Sequence, residues 1–132
     1  MTTISIIGAT GLVGREVVQQ LIQEKQVHQV KYLGRRSLEL TSPKLIEFIS
    51  PDLEMNESFL ASDCLISTLG TTLKIAGSKK RFKEIDLDLP LKIAQNFKQK
   101  GGEHMVLLSS LGANSHSVFF YPQMKGILED KI

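Results

Sequence analysis

A short apolar run, Ile4-Ser5-Ile6-Ile7, passes directly into Gly8-Ala9-Thr10-Gly11-Leu12-Val13-Gly14. A helical pattern starts at once behind it, with Val13, Val17, Val18, Leu21 and Ile22 in one stripe. No other feature of the chain constrains its fold as much as this strand, glycine turn and helix. Gly8 lets the chain turn sharply off the strand, Gly11 lets backbone N–H groups approach a pyrophosphate, and Gly14 lets the helix lie close on the sheet. The helix N-terminus then attracts the phosphates. The junction reads as a dinucleotide loop, with Gly8, Thr10, Gly11, Leu12, Val13 and Gly14 at the cofactor; a glycine-rich turn without a ligand is the alternative.

The next discriminating position is the end of the second strand, Val30 to Leu33, where a residue about 20 positions beyond the glycines meets the adenosine ribose. Gly34-Arg35-Arg36 stands there. An acidic residue would accept hydrogen bonds from the 2′-hydroxyl and select NAD(H), whereas a guanidinium pairs with a 2′-phosphate in fork geometry. Arg35 and Arg36 therefore point to NADP(H) over NAD(H), the alternative being two arginines on a solvated turn.

The chain has 132 residues, enough for one α/β domain with a real core, and its 42% hydrophobic and 23% charged content is ordinary for a soluble protein. A net charge of +2 is too slight to imply nucleic acid, and Lys79-Lys80-Arg81-Phe82-Lys83 reads as a solvated helix face. The single cysteine, Cys64, cannot form an internal disulfide, and its apolar setting suggests a buried thiol in a reducing compartment. The first strand begins within a few residues of Met1, which leaves no room for a charged leader, and no apolar run is long enough to span a membrane. These observations lead to the expectation of a cytoplasmic protein with no membrane partner.

Strand-like and helical runs alternate along the chain. Lys44 to Ile49 reads as a third strand, residues 50–62 as a polar connection, Asp63 to Thr68 as a fourth strand and His104 to Ser109 as a fifth. Between the last two, Phe82, Ile85, Leu89, Ile93 and Phe97 recur at helical spacing, with Pro90 marking a kink or a second helix start and Gly101-Gly102 a stop. A last helix starts near Phe119 or Phe120, because Pro122 fits only a first turn. The expected fold is an α/β, Rossmann-type doubly wound parallel sheet of about five strands, in order 3-2-1-4-5, with helices on both faces.

Ligands of such sheets bind at the carboxyl ends of the strands. After the fourth strand, Leu69-Gly70-Thr71-Thr72 offers a glycine and two hydroxyls near the ribose and nicotinamide, or else a simple turn. After the fifth come Ser109 and Ser110, then Tyr121-Pro122-Gln123-Met124-Lys125, whose tyrosine and lysine share a helix face at i and i+4. His28, His104 and His116 are scattered and have no cysteine partners, so no metal site is expected. Asp52 is placed to reach the adenine or to cap a helix, and Asp86 is expected to face solvent.

Across nearly its whole length the chain resembles the short-chain dehydrogenase/reductase superfamily, in particular its atypical, Tat-interacting-protein-like group. The matching stretches are Gly8 to Gly14, Leu33 to Arg36, Leu69 to Thr72, Ala76-Gly77, Leu108 to Ala113 and Tyr121 to Gly126. The resemblance implies an NADPH-binding oxidoreductase acting on a carbonyl or alcohol. Tyr121 is then the general acid or base, Lys125 holds the nicotinamide ribose and lowers the tyrosine pKa, and Ser110, in preference to Ser109, polarises the carbonyl. A free tyrosine ionises near about pH 10 and needs such an ammonium to work near neutrality.

Members of that group continue past the last helix with another strand, an Arg-Pro-Gly-type loop and a segment that covers the substrate, whereas this sequence stops at Ile132. Residues 1–132 are therefore expected to form a dinucleotide-binding domain without its C-terminal substrate segment, with little turnover by itself. A non-catalytic NADP(H)-binding redox sensor or interaction module is the second reading. The fifth strand, continuously apolar and expected to be buried on both faces, would lie at a bare edge, with Val118, Met124, Ile127 and Leu128 uncovered; self-association through these residues is the further expectation.

Overall fold

The computed structural model describes residues 2–53, 56–70, 73–109 and 112–132. Five parallel strands form one sheet in the order β3-β2-β1-β4-β5: β1 (Thr2–Ile7), β2 (Val27–Gly34), β3 (Leu45–Ile49), β4 (Cys64–Ser67) and β5 (His104–Leu107). Every successive pair of strands is separated by a crossover, as expected from the alternation of patterns in the sequence.

Side-chain parity sends alternate residues to opposite faces. Ile4 and Ile6 of β1, with Val30 and Tyr32 of β2, meet Val18 of α1 (Leu12–Leu21) on one face. Ile7, Leu33 and Leu65 meet Ile93 and Phe97 of α5 (Leu89–Gln99) on the other. A third cluster on that second face joins Phe82 and Leu87 to Met124 and Leu128 of α6 (Phe120–Lys131), with Leu107 of β5 against it.

The connection from Ser50 to Ser62 is less polar than it reads. It holds a short helix, α2 (Glu57–Leu60), in which the Asn56 side chain accepts a hydrogen bond from the Phe59 backbone N–H at 2.7 Å. That cap turns Phe59 and Leu60 into the core, where both are buried. The Ser5 hydroxyl donates to the Phe59 carbonyl at 2.5 Å, tying the helix to the central strand.

Between β4 and β5 the chain runs through α3 (Leu73–Ala76), α4 (Lys79–Lys83), a π-helical turn (Glu84–Asp88) and α5. Pro90 explains the π turn. Its ring has no N–H to donate and would collide with the carbonyl four residues back, that of Asp86, so the helix widens just before it. The Leu89 N–H reaches past its usual acceptor to the Glu84 carbonyl. At the far end of α5, the Gly102 N–H bonds the Phe97 carbonyl and the Gly101 N–H that of Lys98, which closes the helix in a Schellman motif.

Two expectations are corrected here. β5 is not buried on both faces: Met105 and Leu107 pack against the α5 and α6 clusters, whereas Val106 and Leu108 are 54% and 42% exposed, because among the described residues no helix covers the α1 side of this edge strand. Conversely, Met124 and Leu128 are not left bare. They are 7% and 1% exposed, since α4 and the π turn supply Phe82 and Leu87 as partners from within the chain. Of the four residues expected to be uncovered, Val118 is, at 92%, while Ile127 lies partly buried against the same cluster. Replacing Leu128 by Ala should therefore cost about 2–5 kcal/mol in urea unfolding. Val118→Ser should change stability by no more than about 0.5 kcal/mol.

Candidate functional site

The turn after β1 is held by close contacts with β4. Gly8 has φ +81, and a Cβ there would run into the backbone of Thr68 and Leu69; a Cβ on Gly14 would strike the Thr68 hydroxyl and the Gly8 carbonyl. Both glycines are demanded by packing. Thr68 is itself seated by its hydroxyl, which donates to the Ile7 carbonyl at 3.0 Å. Gly11 differs: its φ of −73 suits any residue, and a Cβ would meet only the Gly8 oxygen at 3.5 Å. The fold has room for a side chain at Gly11. Gly11 caps α1 with no side-chain hydrogen bond, and no acidic residue occupies the first turn. The N–H groups of that turn have no acceptor within the helix. Leu12 and Val13 are 92% and 48% exposed there.

Beside this turn opens a cavity of about 340 Å³ lined by Gly8 and Thr10, by Tyr32 to Arg36 at the end of β2, by Leu69 after β4, and by Leu53, Ile85, Leu89 and Ile93. Much of its wall is apolar. Leu53, at φ +51, adopts a conformation that costs a branched residue of this kind about 1–3 kcal/mol. Asp52, expected either to reach the adenine or to cap a helix, lines a separate groove with Asn56 and Lys92. Next to the cavity lies a smaller recess of about 220 Å³ formed by Thr10, Arg15, Arg36, Ser37, Leu38 and Glu39. Thr10 and Arg36 border both spaces. Arg15 went unnoticed in the sequence, although it follows the third glycine directly; its guanidinium donates to the Leu38 carbonyl at 2.6 Å. Two guanidinium groups and a threonine make the recess suited to a phosphate, with Glu39 the one carboxylate on its rim.

The other end of the site is built by β4, the π turn and α6. Lys125 lies 3% exposed and its Nζ donates to Asp86 Oδ1 at 2.6 Å. Asp86, expected at the surface, is fully buried. The signal was there, because Asp86 sits four residues after Phe82 and three before Leu89, on the stripe that faces the core. Gly70 adjoins this pair: a Cβ on it would lie 3.3 Å from Asp86 Oδ1 and 3.7 Å from Lys125 Nζ. Tyr121 is 41% exposed, its ring 5.4 Å from that of Phe82 and 5.6 Å from Lys125 Nζ. Gly126, next to the lysine, lets α6 press against the backbone of Asn114 and Ser115, where an added Cβ would have no room. The Ser109 hydroxyl is buried without a hydrogen-bond partner among the described residues, as is that of Ser67 on the neighbouring strand. Thr71 and Ser110 lie outside the described residues. The structure thus brings Gly8, Thr10, Arg35, Arg36 and Leu69 around one cavity, and Gly70, Tyr121 and Lys125 together beyond it.

The NAD(P)H-binding family profile matches residues 8–132. The chain belongs to that family. Among curated relatives, the mitochondrial protein FMP52 of Candida albicans is 36% identical over 96% of this chain and 58% of its own length. The mitochondrial protein fmp52 of Emericella nidulans is 34% identical over 100% of this chain and 60% of its own. The chain thus spans about three fifths of the length of these relatives. Among solved structures, MoeE5 in complex with UDP-glucose and NAD superposes with a TM-score of 0.78 at 17% identity, covering 98% of this chain and 47% of that one. A short chain dehydrogenase family protein from Francisella tularensis gives 0.70 at 13%, covering 98% and 60%. The fold is that of the short-chain dehydrogenases and epimerases, and the ligand of the family is a nicotinamide dinucleotide.

The relatives overturn the cytoplasmic expectation, since they are named as mitochondrial proteins. The lone Cys64 could not carry that distinction. Its thiol is pushed up in pKa by burial and then by Asp63, which describes its immediate surroundings and fits any reducing compartment.

The open space over Gly11 and the cavity beside it fit a dinucleotide. Tyr32 links the cavity to the fold, its hydroxyl donating to the Arg36 carbonyl at 2.9 Å and so pinning the arginine turn. Burial, then the Glu47 carboxylate, push the Tyr32 phenol above its ordinary 10.0, against a smaller opposite pull from Arg36. Above that pH the unfolded chain loses the proton while the folded chain keeps it, so the folded state binds more protons and stability falls as pH rises. Between about pH 9 and about pH 11, Tyr32→Phe should lose less stability in urea unfolding than the unaltered chain. An identical loss in both would remove Tyr32 from the alkaline transition.

Proposed function

We propose that the chain is the NADP(H)-binding part of an oxidoreductase that transfers a hydride between the dinucleotide and a carbonyl or alcohol. The observation that carries this reading is Gly11: the fold tolerates a side chain there, yet the sequence leaves the space open beside an uncapped helix terminus and a cavity of dinucleotide chemistry. Arg36 and Arg15 take the 2′-phosphate in the smaller recess, Arg35 supports it from the main cavity, and Leu53 with Leu89 covers the adenine.

At the other end, Tyr121 would donate its phenolic proton to the substrate oxygen, and a dinucleotide held here would supply the hydride that turns the carbonyl into an alcohol. Lys125 holds the nicotinamide-side ribose. The Ser109 hydroxyl, buried and without a partner among the described residues, is suited to donate to the same oxygen, with Ser110 as the alternative. The names of the relatives support a mitochondrial location for the whole protein. The exposed Val106 and Leu108 on the edge strand support self-association, which sedimentation at micromolar concentrations would reveal as a rising mass.

Calorimetric titration tests the cofactor reading. NADPH should bind about tenfold more tightly than NADH, and Arg36→Ala should abolish most of that difference. Gly11→Val should bind neither dinucleotide while retaining its cooperative melt. Equal affinity for the two cofactors would overturn the choice of NADP(H), and unchanged affinity in folded Gly11→Val would overturn the site.

A further inference from the structure

The Lys125–Asp86 pair is expensive to bury. Removing an ammonium and a carboxylate from water costs several kcal/mol for each ion, and an apolar pair of similar volume is often as stable or more so. Stability alone is a weak reason for placing these two charges in the core.

Their surroundings supply another reason. Ile85 lines the dinucleotide cavity and Leu87 is buried against α6, so the π turn presents adjacent residues to the cofactor space, to Lys125 and to the core. Pro90, by widening the helix at Asp86, sets the local geometry of that arrangement. On the opposite side Gly70 leaves both charged atoms within 4 Å of where its Cβ would be, so the pair reaches the β4 exit through a gap that any other residue would narrow. An ammonium has three donors. Among the described residues Lys125 Nζ bonds only Asp86, which leaves donors for an acceptor arriving on the Gly70 side.

We propose that Asp86 is a positioning residue, which holds the Lys125 ammonium beside Gly70 so that it can bond the hydroxyls of the nicotinamide-side ribose. This rests on the dinucleotide reading given above. Asp86 does not touch the cofactor; it acts through Lys125, keeping a long, flexible side chain in one rotamer and preventing it from turning toward the phosphates.

The test compares two ligands, NADPH and 2′,5′-ADP, which lacks the nicotinamide riboside half. Should the unaltered chain prefer NADH, that cofactor and ADP take their places. In Asp86→Asn, which keeps a hydrogen-bond acceptor and removes the charge, affinity for the whole dinucleotide should fall about tenfold while affinity for the adenosine half stays within about twofold. In Lys125→Met the loss should be similar. In Asp86→Leu/Lys125→Met, which replaces the pair by apolar groups and guards against unfolding from a lone buried charge, the loss should be no greater than in Lys125→Met alone.

Losses that add in the double variant would show that Asp86 acts independently of Lys125 and overturn the proposal. Equal weakening of both ligands would also overturn it, because a merely structural role disturbs the whole site. So would an unchanged dinucleotide affinity in Asp86→Asn. Failure of the unaltered chain to bind either ligand would refute the dinucleotide reading itself, a result distinct from these.

Discussion

The meeting of three backbones at the carboxyl ends of β1 and β4 governs the rest of this structure. Gly8 turns against Leu69, and Gly14 brings α1 down onto Thr68, so the first helix can approach the sheet only where side chains are missing. That contact aims the helix terminus along the sheet's ligand-binding edge. It also fixes the distance between the phosphate turn and the β4 exit, and therefore between the two ends of the site. A β-carbon at either position would move both ends, whereas one at Gly11 would leave the fold in place and obstruct only the ligand.

The strand order was legible in the sequence because it follows from pattern alternation and the handedness of crossovers, both encoded locally. The glycine turn was legible for the same reason. Pairings between distant segments were harder to read. Asp86 looked like a surface residue when judged by type, yet its spacing from Phe82 and Leu89 put it on the buried stripe, and its partner stands 39 positions away. Arg15 reaches the recess it shares with Thr10 and Arg36 only because the chain after β2 folds back to Leu38. Phe59 and Leu60 were hidden in a polar stretch, since the helix that buries them is one turn long and leaves almost no periodicity to detect. The double burial expected of β5 failed for a related reason: an apolar run records what could cover a strand, and the parity of Val106 and Leu108 decides which face lacks a cover.

Costly features concentrate around the cavity. The left-handed Leu53, the buried ion pair, the Ser109 hydroxyl without a partner among the described residues and the exposed Leu12 all lie along the ligand edge of the sheet. A fold selected for stability alone would relax each of these. Their shared location coincides with the edge at which sheets of this kind bind their ligands.

The two ends of the site also use charge in different ways. Arg35 and Arg36 are exposed, so any attraction between them and an anion is screened by salt. Lys125 is screened little, because it is buried against Asp86, and its position is set by geometry more than by long-range field. An exposed cationic end and a buried, paired end fit a ligand with chemically distinct halves. Raising the ionic strength acts mainly on the first, so the arginine turn is the part of this edge most exposed to its medium, and the Lys125–Asp86 pair beside Gly70 the least.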